Sequence, residues 1–247
     1  MLSRRRRGSE LRDELTILKI GGSVITDKSE GAFEKLKEAE LKEVCKAISE
    51  KWKNLILVHG AGSFGHPHVR KFGLSSLGAS KVHLGCLRLS ERFCSALTEF
   101  DVPAYPIHPF LTYSTEIVEK VLRRGFLPVL HGDVVMNDRI EVLSGDDIVV
   151  HLAEAFKAGR IGFATDVEGV FDLNGNVVEE LDRNMLEEML AGVRESEGKE
   201  DVTGGMLRKL QRLYEMGHKC RVYVFKGSYE NLKRFLQGEK VGTEVIV

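Results

Sequence analysis

The chain has 247 residues and a formal net charge of -1, a balance that gives no global pull toward nucleic acid or a membrane surface. With 43% hydrophobic residues it can fill the core of one large α/β domain, or of two lobes sharing a sheet. No apolar run is long enough to span a bilayer, and Cys45, Cys86, Cys94 and Cys220 lack any CxxC pairing, as in a reduced, cytoplasmic protein.

Residues 1–14 read as a basic extension. Arg4 to Arg7 precede no apolar segment, so no signal peptide is expected, and a solvated arm is favoured over an RNA-binding one. Leu15 to Ile20 read as a strand running into Gly21-Gly22-Ser23. Leu41, Val44, Cys45, Ile48 and Trp52 then mark one face of a helix. Asn54 to Val58 form a second, fully apolar strand, and it ends in His59-Gly60-Ala61-Gly62-Ser63-Phe64-Gly65-His66. Three glycines in six positions let a backbone pass close to a ligand and aim its N–H groups at an anion.

Residues 80–100 predict a helix greasy on two faces, either deep in the core or lining an apolar pocket. A helix near 114–124 and a strand over 126–130 follow, the latter ending at His131-Gly132-Asp133. Residues 134–143 read as a hairpin turning at Asn137-Asp138. Ser144-Gly145-Asp146-Asp147 opens the helix from Ile148, with Asp146 and Asp147 as capping residues. Strand 160–164 ends at Thr165-Asp166. Residues 192–202 are polar and glycine-punctuated and read as a loop. Thr203-Gly204-Gly205 starts a helix carrying Lys209, and strands at 221–225 and 243–246 complete the pattern.

Strands separated by helices predict a three-layer αβα sandwich with an open, mainly parallel central sheet. Ligands in such sheets sit beyond the carboxyl ends of the strands. The glycine-rich and acidic motifs fall at those ends, and Gly204-Gly205 adds a helix start, which favours anions.

Taken in order, Lys19-Ile20-Gly21-Gly22-Ser23, the 59–66 loop, Ser144-Gly145-Asp146-Asp147, Thr165 to Val170 and Asp201 to Met206 resemble the amino acid kinase family. Within it they are most similar to the isopentenyl phosphate kinases, because the glycine loop closes on a histidine. The resemblance covers residues 15–247 and implies an acceptor lobe at about 15–158 and a nucleotide lobe at about 159–247. It departs from the family at Ala61, where some members carry a third glycine. A backbone N–H there still serves if its φ is negative.

The resemblance implies a phosphotransferase using ATP and Mg²⁺, with isopentenyl phosphate as acceptor, and a homodimer. Lys19, Lys28 and His66 would be catalytic. Ala61, Gly62, His66 and Gly145 would hold the acceptor, and Lys19, Gly21, Gly22, Ser23, Gly62, Asp166, Gly205 and Lys209 the nucleotide. By sequence alone Lys28 reads as a solvent-facing charge; the resemblance gives it a transition-state role. Asp146 would orient Lys19 or reach magnesium through water.

For His66 three readings compete. A zinc site with His59 and His68 lacks a cysteine or carboxylate partner. A general base is unneeded, because a phosphate monoester is largely ionised at neutral pH. Donation to the acceptor phosphate fits best. The two-sided helix, Leu84, Cys86, Ile107, Phe110 and the 130–143 hairpin would enclose the five-carbon tail. The competing readings are a kinase acting on a phosphonate or a carboxylate, and a silent nucleotide sensor.

Overall fold

The computed structural model describes residues 15–109, 115–172, 174–195, 210–211, 213–214 and 220–246. Among the described residues eight strands form one sheet: β1 (Thr16–Ile20), β2 (Leu55–His59), β3 (Ala104–Ile107), β4 (Leu127–His131), β7 (Arg160–Thr165), β8 (Glu180–Leu181), β9 (Arg221–Lys226) and β10 (Thr243–Ile246). Their order is β3-β4-β2-β1-β7-β9-β10-β8. Neighbours run parallel from β3 through β9; β10 turns antiparallel on β9, with β8 parallel to it. A separate hairpin joins β5 (Asp133–Met136) to β6 (Ile140–Leu143), and it turns at residues 137–139 as the sequence predicts.

Among the described residues the helices are α1 (Gly22–Ile25), α2 (Glu38–Glu50), α3 (His66–Phe72), α4 (Ser76–Thr98), α5 (Thr115–Arg123), α6 (Gly145–Phe156), α7 (Arg183–Glu195) and α8 (Tyr229–Leu236), with further helical residues at 210–211 and 213–214. α7 extends into the segment expected to be a loop: residues 192–195 are helical, and the remainder, 196–202, lies outside the described residues. Arg4 to Arg7 and Phe110 also lie outside them.

The central strands are apolar on both faces because helices cover both. Along β1, Leu18 and Ile20 join a core with Leu57, Phe93, Phe225 and Phe235. Ile17 joins the opposite core with Ile56, Val58, Ile148 and Leu152. The side-chain period of two therefore puts Lys19 on the same face as Ile17, one position from the strand's end. There the core stops and the start of α6 begins. Each fully buried aliphatic or aromatic side chain in these cores contributes roughly 1.5–3 kcal/mol, so the strands are rigid supports for what projects from their ends.

Candidate active site

The carboxyl ends of β1, β2 and β7, with the loop after β4, open into one cleft of about 650 Å³. Lys19, Gly21, Gly22, Ser23, Lys28, Ala61, Gly62, His66, Gly145 and Asp166 all line it, so ten of the expected site residues meet in one place. Gly205 and Lys209 lie outside the described residues.

At one end of the cleft the backbones themselves touch. Gly60 N–H donates to Ile20 O at 2.9 Å, and Gly21 N–H to Ala164 O at 2.8 Å, lacing three strand ends together. A Cβ on Gly60 would stand 2.8 Å from the Gly22 nitrogen, and one on Gly22 would overlap the Gly62 backbone. Gly62 holds φ +49, a conformation that glycine adopts without steric cost. Ala61 has φ -78, so it replaces a glycine without strain.

Lys19 Nζ meets Asp146 Oδ1 at 2.6 Å, with the two side chains 12% and 10% exposed. The expected orienting role of Asp146 is therefore its actual contact. Asp146 is not the helix cap: Ser144 is, its Oγ accepting from Asp147 N–H and donating to Asp147 Oδ2 at 2.8 Å. A serine one position ahead of the helix reaches the free N–H groups, and Asp146 turns toward β1 instead.

His66 and Lys28 are both exposed and face the cleft from different segments. The three-histidine cluster does not form. His68 bonds Glu34 Oε1 at 2.7 Å, whereas His59 lies inside the fold, its ring 5.5 Å from that of His131. Among the described residues no group of three or more His, Cys, Asp or Glu could hold a metal ion. His59, His66 and His68 therefore do not share a zinc site.

Beneath the glycine end is a buried polar row that the sequence did not reveal. Parallel pairing sets His59 beside His131. His131 donates from Nδ1 to Gly132 O at 3.1 Å, so its Nε2 accepts from His108 Nδ1 at 2.8 Å. Burial pushes His59 down to about 4. Burial, with His59 adjacent, pushes His131 down to about 3, so both rings are neutral at pH 7. Asp133 is fully buried, accepts from His83 Nδ1 at 2.7 Å and from Val134 N–H at 2.8 Å, and lines the cleft. The hydrogen bond to Asp133 raises His83 above its ordinary value. Asp133 follows a strand-end glycine, and that is the signal from which it was findable.

The other end of the cleft is apolar: Val69 of α3, Val82 and Cys86 of α4, Val134, Val142 and Leu143 of the hairpin. Burial, then the nearby Asp133, raises the Cys86 thiol well above its ordinary value, so it is an uncharged wall residue. Two expected wall residues are elsewhere. Leu84 is 51% exposed, on the solvent face of α4, and Ile107 packs into the core beside α6. A helix turns 100° per residue, so a position two residues from Val82 and Cys86 points away. On the far side Phe163, Val170 and Phe171 border Asp166. A mouth with a glycine-and-lysine end and an apolar sleeve suits a molecule with an anionic head and a short hydrocarbon tail, beside a second anionic ligand.

The sequence matches the amino acid kinase family profile over residues 14–226. It is 34% identical to the isopentenyl phosphate kinase of Methanocaldococcus jannaschii, covering 94% of this chain and 98% of that one. It is 35% identical to that of Haloferax volcanii, again over 94% and 98%. The crystal structure of an isopentenyl phosphate kinase substrate complex superposes with a TM-score of 0.76 at 29% identity, covering 94% of this chain and all of that one. The chain belongs to the amino acid kinase family.

Proposed function

We propose that the chain transfers the γ-phosphoryl group of ATP to isopentenyl phosphate, giving isopentenyl diphosphate and ADP. One observation carries the reading: a single cleft joins a backbone-lined anion end bearing Lys19 and His66 to an apolar sleeve closed by the β5–β6 hairpin. Its relatives bearing that activity match over nearly their whole length.

Phosphoryl transfer depends on positioning and charge neutralisation. The acceptor phosphate sits against the Gly60–Gly62 backbone and the start of α6 at Gly145, where free N–H groups and the helix dipole favour an anion. His66 donates to its oxygens. The attacking oxygen is already ionised, so no side chain need remove a proton.

Lys19, held straight by Asp146, faces the phosphates between donor and acceptor. Lys28 approaches the same charge from the segment after α1. Gly21, Gly22, Ser23 and Asp166 border the nucleotide, with Gly205 and Lys209 completing its lobe. Magnesium, which keeps several waters and binds phosphate oxygens, comes with the nucleotide rather than from a ligand set of the described residues. Residues 15–158 then serve the acceptor and 159–247 the nucleotide, in a homodimer. No helix among the described residues is long and apolar enough to cross a membrane.

The test is ATP turnover against isopentenyl phosphate, fosfomycin, N-acetylglutamate and UMP, repeated with His66→Gln. Isopentenyl phosphate is expected to be the preferred acceptor. His66→Gln is expected to raise its KM by ~10–100-fold, the worth of a charge-assisted hydrogen bond, while leaving the KM for ATP within about twofold. Turnover with UMP or a carboxylate alone overturns the reading.

A further inference from the structure

Lys28 rides on a hairpin that has its own anchor. Thr26 bridges Leu36, Asp27 N–H donates to Lys35 O at 2.9 Å, and Lys35 pairs with the Asp27 carboxylate at 2.7 Å. The tip, residues 28–31, is exposed. At the returning strand Glu34 has φ +50, a left-handed conformation costly for a residue with a Cβ. What holds it there is contact on every side. Its N–H donates to Ser63 O at 3.1 Å. Its carboxylate takes His68 Nε2 at 2.7 Å and Arg88 Nε at 2.9 Å, and Arg88 adds a second bond to make the grip bidentate.

The three partners belong to three different segments that border the cleft. His68 lies two residues beyond His66 on α3. Arg88 lies two residues beyond Cys86 on α4. Ser63 follows Gly62 in the glycine loop and also bonds Lys35 through its hydroxyl. Phe33, next to Glu34, stacks on the His68 ring at 4.1 Å. The His68 side chain is 2% exposed and fits because Gly85 has no Cβ, which would stand 2.9 Å from its Nε2. A bidentate guanidinium and a buried imidazole on one carboxylate fix orientation as well as distance.

We infer that Glu34 is a positioning residue whose carboxylate, shared by His68 and Arg88, locks the Lys28 hairpin to the helix bearing His66. The inference rests on the roles given above to Lys28 and His66. The left-handed backbone at Glu34 is maintained by that shared grip, and the grip sets where Lys28 stands relative to the acceptor phosphate. A displacement of about 1 Å in such a group costs up to ~100-fold in rate.

The experiment compares Glu34→Gln, Arg88→Ala and Lys28→Ala, and the Glu34→Gln/Lys28→Ala pair, with two readouts. Amide hydrogen exchange over residues 27–35 reports the hairpin directly. ATP turnover with isopentenyl phosphate reports the chemistry. Exchange is expected to quicken about tenfold in Glu34→Gln and Arg88→Ala, with kcat about tenfold lower. In the Lys28→Ala background, Glu34→Gln is expected to cost less than about twofold more, because it acts through the lysine already removed. Arg88 is half exposed, so Arg88→Ala decides the matter if Glu34→Gln fails to fold. Unchanged exchange overturns the lock while leaving the proposed reaction standing. Equal losses in both backgrounds overturn the link to Lys28. Full activity of Lys28→Ala overturns the role of that lysine, and with it the catalytic purpose of the lock.

Discussion

The two ends of the cleft are built by opposite means. At the glycine end, backbone meets backbone: Gly22 packs on Gly60 and Gly62, and Lys19 is pinned to Asp146 at 2.6 Å. At the apolar end, side chains of α3, α4 and the β5–β6 hairpin form the wall. A backbone contact cannot relax without moving a strand end. A side-chain wall can repack, at a cost set by volume. The glycine end should therefore be intolerant of any added atom, and the apolar end adjustable.

The largest effect is expected from Gly22→Ala, whose new Cβ has nowhere to go. Overpacking of this kind costs about 1–3 kcal/mol, and the resulting shift of the phosphate loop lowers kcat/KM by ~100-fold. Steady-state kinetics with a thermal melt reads both. A fully active Gly22→Ala would mean that this end yields as readily as the other.

A second expectation concerns acid, and it too separates the ends. His59 and His131 lie under the glycine end, buried and neutral, with values of about 4 and about 3. In the unfolded chain a histidine takes up its proton near 6.5. Below that pH the unfolded state holds more protons than the folded one, so stability falls as pH drops from 6.5 toward 4. The slope approaches ~1.4 kcal/mol per pH unit for each ring. His83, raised by Asp133, works the other way: its contribution is complete below 6.5 and is lost as pH rises through its folded value. Urea midpoints should therefore drop between pH 6 and pH 4.5. A flat profile over that interval would mean the two rings are not sealed from water.

The smallest effects are expected at the apolar end. Cys86→Ala should change turnover of isopentenyl phosphate by less than about threefold, since it removes one sulfur from a repackable wall. Cys86→Phe should instead shift preference toward acceptors with shorter tails. Leu84→Phe, on the solvent face of the same helix, should alter neither. A change in tail preference from Leu84→Phe would place the sleeve on the other side of α4.

Much of this was readable in the chain beforehand. Strand runs such as Leu55 to Val58 are apolar at every position because both faces are covered, and the runs of β1, β2, β4 and β7 end in motifs that line the cleft. The lysine before Gly21-Gly22 and the histidine closing the 59–66 loop were visible as a pattern in order and spacing. What local pattern leaves open is direction. Leu84 looked equivalent to Cys86 on a two-sided helix, and only the packing of α4 says which side meets the hairpin. Ile107 looked like pocket lining and is core. Asp146 reads as a cap because it stands just ahead of Ile148, where the sequence starts the helix, yet the helix starts at Gly145 and Ser144 fills that role.

The amino-acid sequence by itself determined the alternation of strands and helices, the parallel sheet, and which loops carry glycine, lysine and histidine, because these depend on local period and on backbone freedom. The tertiary structure decided the pairings: Lys19 with Asp146, 127 residues apart, Glu34 with His68 and Arg88, His83 with Asp133, and His59 beside His131. Contacts of that range are set by strand order and register, which no local pattern encodes. It is this long-range placement that turns separate strand ends into one cleft, rigid at its anionic end and adjustable at its apolar one.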